Sequence, residues 1–167
     1  MSQSYRTGQQ SSSRLLKLGM MRAAFALGGC VAPRRTVECA ARLFATPYGN
    51  SRARARSALA DSEMQRFEIA VGQHTVATYV WGDPTREPYA LLVHGWSSFG
   101  LRFLPWVAGL RASGLAVVTF DQPAHGCSTG ELCTLPDFIN TIHAIGRRYG
   151  TAALAIWSCT SGTFTQP

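Results

Sequence analysis

The stretch Tyr89–Trp96, Y-A-L-L-V-H-G-W, constrains this chain more than any other. An unbroken apolar run halted by turn formers reads as a strand buried on both faces, the kind that a parallel sheet covered by helices requires. In open α/β sheets ligands bind beyond the carboxyl ends of the strands, so the chemistry is expected where the run stops. Gly95 at that point lets the backbone turn its N–H groups toward a ligand. Taken alone, the pattern also fits a core strand entering an ordinary glycine turn, and the residues downstream decide between the two.

Those residues repeat the arrangement. Residues 101–113 carry a helical pattern with Leu104, Val107, Ala108 and Leu110 inward, Pro105 near the start and Gly114 at the end. Leu115–Phe120 is a second buried strand, and it runs into Asp121-Gln122-Pro123-Ala124-His125-Gly126-Cys127-Ser128-Thr129-Gly130. A second helix follows over Leu135–Tyr149, with Thr134 as N-cap, Phe138, Ile139, Ile142 and Ile145 at core spacing, His143 on the surface and Gly150 as the stop. Thr151–Trp157 is then a third strand. Upstream, Met64–Val71 and Thr75–Trp81 are β-like runs separated by Gly72-Gln73-His74, a hairpin in which His74 is an exposed turn residue.

Strand, helix, strand and a loop closing on Asp and His-Gly resemble the α/β-hydrolase superfamily over residues 64–157. His94-Gly95-Trp96 stands where that family has its HG-type oxyanion loop. Asp121–Gly130 is similar to its D-x-P-G-H-G-x-S loop and departs from it at Ala124, where Gly is common. The resemblance implies an α/β fold built as the N-terminal half of the hydrolase sheet, an antiparallel hairpin followed by parallel strands with crossover helices, the fifth strand beside the third. It also implies a small-molecule ester or acyl substrate, no cofactor, no metal, and backbone donors to an oxyanion from the turn His94, Gly95 and Trp96.

The nucleophile is where the pattern fails. In the family the fifth strand enters G-x-S-x-G, a strained turn whose flanking positions tolerate only small residues. Here it enters Ile156-Trp157-Ser158-Cys159-Thr160-Ser161-Gly162-Thr163. Ser158 is flanked at the two glycine positions by Ile156 and Thr160, Ser161 by Cys159 and Thr163, and a Cys159 thiol by Trp157 and Ser161. Ser158 and Ser161 are the candidate nucleophiles, and neither stands in a family-like elbow. The family's acid and histidine come after the nucleophile, so the expectation is a chain lacking catalytic competence, interrupted or frame-shifted near Ile156, with residues 158–167 an irregular tail. A non-catalytic binding or scaffold protein on the same half-sheet is the alternative, with self-association through the exposed fifth strand.

Charge divides the chain unevenly. Residues 1–60 hold ten Arg or Lys against one acid, Glu38, and the remainder six against eight, within a net charge of +7. Residues 1–13 read as a disordered tail, and 14–60 as a basic helical segment that Pro33-Arg34-Arg35 breaks and Thr36 restarts. This segment fits a packed helix first, and a peripheral membrane-surface contact through residues 14–56 second. Arg52, Arg54 and Arg56 read as a solvated face, without the aromatics of a nucleic-acid site. Five cysteines without C-x-x-C spacing favour reduced thiols in the cytoplasm. A zinc set of His125, Cys127 and Cys133 lacks a fourth ligand.

Overall fold

The structure, a computed structural model, describes residues 4–59 and 64–158, with side chains described from residue 15. The chain divides into two compact units, residues 1–44 and 45–167. The first unit is helical: α1 spans Ser4–Val31 and α2 Pro33–Ala45, separated by Ala32 alone. The helix thus begins at Ser4 rather than Arg14, taking in most of the stretch expected as a tail; residues 1–3 lie outside the described residues. The break falls at Ala32 beside Pro33, as expected, but α2 restarts at Pro33 itself and not at Thr36, because the first helical position needs no N–H donor. Thr36 therefore lies inside α2, and its hydroxyl donates to Ala32 O at 3.0 Å. No described helix is long and apolar enough to cross a membrane.

The second unit opens with α3, Asn50–Leu59, and builds a five-stranded mixed sheet in the order β1-β2-β4-β3-β5. Strands β1 (Gln65–Val71) and β2 (His74–Trp81) form the expected hairpin, with Val71 opposite His74. His74 begins a strand and is half-buried, not an exposed turn residue. β4 (Ala116–Phe120) pairs antiparallel with β2 and parallel with β3 (Tyr89–His94). β5 (Leu154–Ser158) pairs parallel with β3, so the fifth strand does lie beside the third.

Period-two alternation sorts the core. Ala116, Val118 and Phe120 of β4 join Tyr89, Leu91 and Val93 of β3 in one cluster with Ala144 and Ile145 of α5 (Leu135–Tyr149). Val117 and Leu92 face the other way, onto Phe103 and onto Val107 of α4 (Leu104–Ala112). All six residues of β3 are buried, as a strand covered on both faces must be. Each such Leu or Val contributes about 1.5–3 kcal/mol of burial. β5 is different: Leu154 and Trp157 stay exposed, at 39% and 57%.

Two inward assignments are corrected. Ala108 of α4 and Ile139 of α5 are exposed, and Thr141 and Ala144 take the buried stripe of α5 instead. α4 also starts later than expected, because residues Gly100–Phe103 wind as a 3-10 turn ahead of it. The bounds of α5 agree with the sequence. The Asp137 carboxylate accepts from the Thr134 N–H at 2.8 Å and from its hydroxyl at 2.6 Å, closing a capping box.

Candidate active site

The carboxyl ends of β3, β4 and β5 meet at one edge of the sheet. His94 ends β3 and lies in register with Ser158, the last residue of β5. Ser161 and Cys159 lie outside the described residues. The β3 loop, Gly95–Phe99, and the β4 loop, Asp121–Gly130, hold each other through a reciprocal pair of histidines. His94 Nε2 accepts the Gln122 N–H at 2.9 Å, and His125 Nε2 accepts the Ser97 N–H at 3.0 Å. Each ring lends its acceptor to the other loop.

The remaining ring nitrogens assign the tautomer. His94 Nδ1 lies 2.8 Å from Gly95 O and His125 Nδ1 2.9 Å from Pro123 O. A carbonyl only accepts and an amide N–H only donates, so both rings are neutral with the proton on Nδ1. Burial removes the water that would stabilise an imidazolium, and it lowers both from the usual 6.5 to about 4. Trp96 stacks on Phe138 at 6.2 Å between centroids and meets the His125 ring edge-on at 5.2 Å.

Beneath the loops, Asp121 is a hub. Its carboxylate accepts from Gly100 N–H at 2.6 Å, Cys127 N–H at 2.7 Å and the Tyr79 hydroxyl at 2.7 Å. Burial pushes its carboxyl above the ordinary range, and the three donors pull the other way. Burial, with Asp121 beside it, also pushes the Tyr79 phenol up. Gly126, at φ 48°, passes so close that a Cβ there would sit 2.2 Å from the Asp121 carboxyl. Glycine is required at this position for both reasons.

Arg52 completes the loop from α3. Its guanidinium donates to Gly130 O at 2.6 Å and Ser128 O at 3.2 Å. Arg54 lies 5.0 Å from the centre of the Phe99 ring. Two of the three arginines expected on a solvated face thus engage the domain, while Arg56 is exposed. A zinc ion has no place in the set His125, Cys127 and Cys133. Both His125 ring nitrogens are spent, and among the described residues no cluster of His, Cys, Asp or Glu could hold a metal ion.

Among the described residues, two non-glycine residues adopt positive φ, Ser97 at 54° and Ala124 at 65°. The Ser97 hydroxyl accepts the Tyr48 N–H at 3.0 Å, and the Ala124 N–H donates to Thr129 O at 2.8 Å, so each is held from both sides. The left-handed conformation costs an alanine about 1–2 kcal/mol, of which a glycine returns part to the entropy of the unfolded chain. Ala124→Gly is therefore expected to raise stability by about 0.5–1 kcal/mol, read as a higher urea midpoint at an unchanged slope. A lower midpoint would show that the loop does not strain Ala124.

Among solved structures, a thioesterase domain from the curacin biosynthetic pathway superposes with a TM-score of 0.50 at 22% identity, over 57% of this chain and 35% of that one. About half of this chain is a partial α/β-hydrolase fold. Epoxide hydrolase A from Mycobacterium thermoresistibile (TM-score 0.48, 15% identity, 57% of this chain and 30% of that one) is also similar. So is an esterase from Pyrococcus furiosus (0.43, 24%, 53% and 38%). The chain spans about a third of the length of these structures, and at such identity the likeness is one of fold. No protein-family profile and no curated protein matches the sequence.

Within that fold, the sequence placed His94, Gly95 and Trp96 at the strand end and Ser158 at the tip of the fifth strand. It did not disclose that His94 and His125 are mutual braces, nor that Arg52 reaches the β4 loop. The repeated His-Gly at two strand ends was the one available signal for the brace.

Proposed function

We propose that this chain carries the oxyanion-loop half of a serine ester or acyl hydrolase architecture and does not turn over esters by itself. The observation that supports this reading is the commitment of both buried histidines. A general base needs a free ring nitrogen within reach of the nucleophile's proton. His94 and His125 each spend Nδ1 on a carbonyl and Nε2 on an amide N–H. Asp121 is filled by three donors and faces the interior, where it serves the loop.

What the strand ends offer is a positioned turn, His94-Gly95-Trp96, with Ser158 in register beside it and an aromatic wall of Trp96 and Phe138. Such a turn donates backbone N–H groups to a developing oxyanion. With both buried histidines committed, neither is free to activate a hydroxyl, and that stabilisation has no attack from them to act on. A small-molecule ester or acyl compound is the substrate class we infer for such an architecture.

The test is hydrolysis of p-nitrophenyl acetate and butyrate by the purified chain. The expected rate equals that of an unfolded-protein control and is unchanged in Ser158→Ala. Saturable turnover lost in Ser158→Ala would overturn the reading, since it would demand a base that the two histidines do not provide.

A further inference from the structure

The N-terminal helical unit has a surface that water does not suit. In residues 1–44 there are seven Arg or Lys against the single acid Glu38. Interleaved with them on α1 and α2 are large apolar side chains left open: Leu15 at 70%, Leu16 at 67%, Leu27 at 68%, Val31 at 83% and Val37 at 68%. Single exposed leucines are ordinary, but this many large apolar side chains left open on one small basic unit point to an interaction surface. We propose that the α1–α2 unit docks on an anionic phospholipid bilayer surface, with α2 lying in the headgroup plane. The inference is independent of the hydrolase-like reading.

Charge favours a bilayer over a protein groove, with seven cations against one acid in this unit. Successive helical residues turn by about 100°, so Leu15, Leu16 and Leu18 point in three directions around α1 and form no single apolar face. An interfacial helix needs one apolar face toward the acyl chains and one basic face toward the headgroups, and α2 supplies that pair, with the exposed Val37, Leu43 and Phe44 opposite its arginines. α1 is not apolar enough to cross a membrane, and Arg22 sits in the middle of its apolar part. α2 is more strongly amphipathic, with Arg34, Arg35, Glu38 and Arg42 sharing one side.

A second observation gives the headgroup a place. Between the helices runs a groove of about 410 Å³ lined by Met21, Ala24, Phe25, Cys39 and Leu43, with Arg35 on its lining. An apolar trough with one guanidinium matches the junction of an acyl chain and a phosphate. Arg presents a planar fork of donors to phosphate oxygens, which adds direction to the charge attraction.

The experiment is co-sedimentation of the full-length chain with phosphatidylcholine vesicles, alone or with one third phosphatidylglycerol, at low and high salt. Partition is expected to be at least tenfold stronger on the anionic vesicles and to fall with salt. The double variant R34E/R35E should lose at least tenfold of that preference, and R34K/R35K should keep most of it, since each basic residue near the surface contributes about a fivefold factor. Far-UV helicity reports whether each variant keeps its helices, and L16D/L27D tests the apolar contribution separately. Equal partition on neutral vesicles, no partition on either, or retention in high salt would overturn the proposal. So would self-association of the free chain by sedimentation velocity with no vesicle binding, which would assign the surface to a second copy.

Discussion

Asp121→Ala should remove about 4 kcal/mol of folding stability, because it orphans three buried donors at once, each costing about 1–3 kcal/mol without an acceptor. The donors are Gly100 N–H, Cys127 N–H and the Tyr79 hydroxyl, and they belong to three separate parts of the chain. The first leads the 3-10 turn before α4, the second lies in the β4 loop and the third is on β2. One carboxylate therefore fixes three segments around the carboxyl end of the sheet. Asp121→Asn should cost nearly as much, since one of its two terminal groups is an NH₂ that faces donors. Tyr79→Phe is the milder control, because it removes one donor and leaves two bonds to the carboxylate. Urea unfolding of the three variants measures the ranking. A loss below about 1 kcal/mol for Asp121→Ala would mean that water reaches the donors, and the hub would have no special weight.

The parts of the fold that sequence pattern conveyed are those decided by local chemistry. β3 and β4 are short apolar runs bounded by Gly, Pro and Asp, and burial on both faces follows from there being no polar side to turn outward. α5 begins and ends where Thr134, Pro136 and Gly150 punctuate it. Ala108 and Ile139 were misplaced because periodicity marks an apolar stripe without saying how much of it a neighbour covers. Thr141 is buried although polar, since its hydroxyl returns to Asp137 O at 2.8 Å within its own helix. The N-terminal Ser and Gln residues looked like a tail by composition. Gln is a competent helix former and no Pro interrupts residues 4–31, so α1 runs through them.

The site was less legible because its bonds join distant residues. Arg52 and Gly130 are far apart in the chain, and only the placement of α3 brings them together. The Arg-Ala-Arg-Ala-Arg run does contain a hint. Residues two apart in a helix differ by about 200°, so Arg52 and Arg54 cannot share a solvated face. One meets carbonyls of the β4 loop and the other the Phe99 ring. Ala124, noted from sequence as the departure from a glycine, is where the backbone takes φ 65°. The family-like pattern and the strained dihedral thus identify the same residue by independent routes.

Acid should weaken this protein well before its carboxylates titrate, through the two braced histidines. In the folded state both are held near 4, against about 6.5 when unfolded. Between those values the unfolded chain binds protons that the folded one refuses, so stability rises with pH across that window. The contribution is fully present above about 6.5 and is lost as pH falls toward 4. At 1.36 kcal/mol per unit it amounts to about 3 kcal/mol for each ring, an upper figure because the rings lie 5.2 Å apart and protonating one opposes the other. The groups facing them are Arg102 for His94, and Asp121 and Arg52 for His125. Asp121, raised by burial, works in the opposite sense above about 3.9, its native carboxyl keeping a proton that the unfolded one loses, and so offsets part of the slope. Urea midpoints at pH 7.5, 6.5, 5.5 and 4.5 are expected to fall steadily below about pH 6.5. His125→Gln keeps a side-chain acceptor but cannot titrate, and should remove close to half of the acid slope. If that variant folds poorly, the ring C–H shifts of His94 and His125 in the unaltered chain decide the matter. They should remain those of neutral imidazole down to about pH 5, and a midpoint near 6.5 for either would show that its ring is open to water and not committed to the loop opposite.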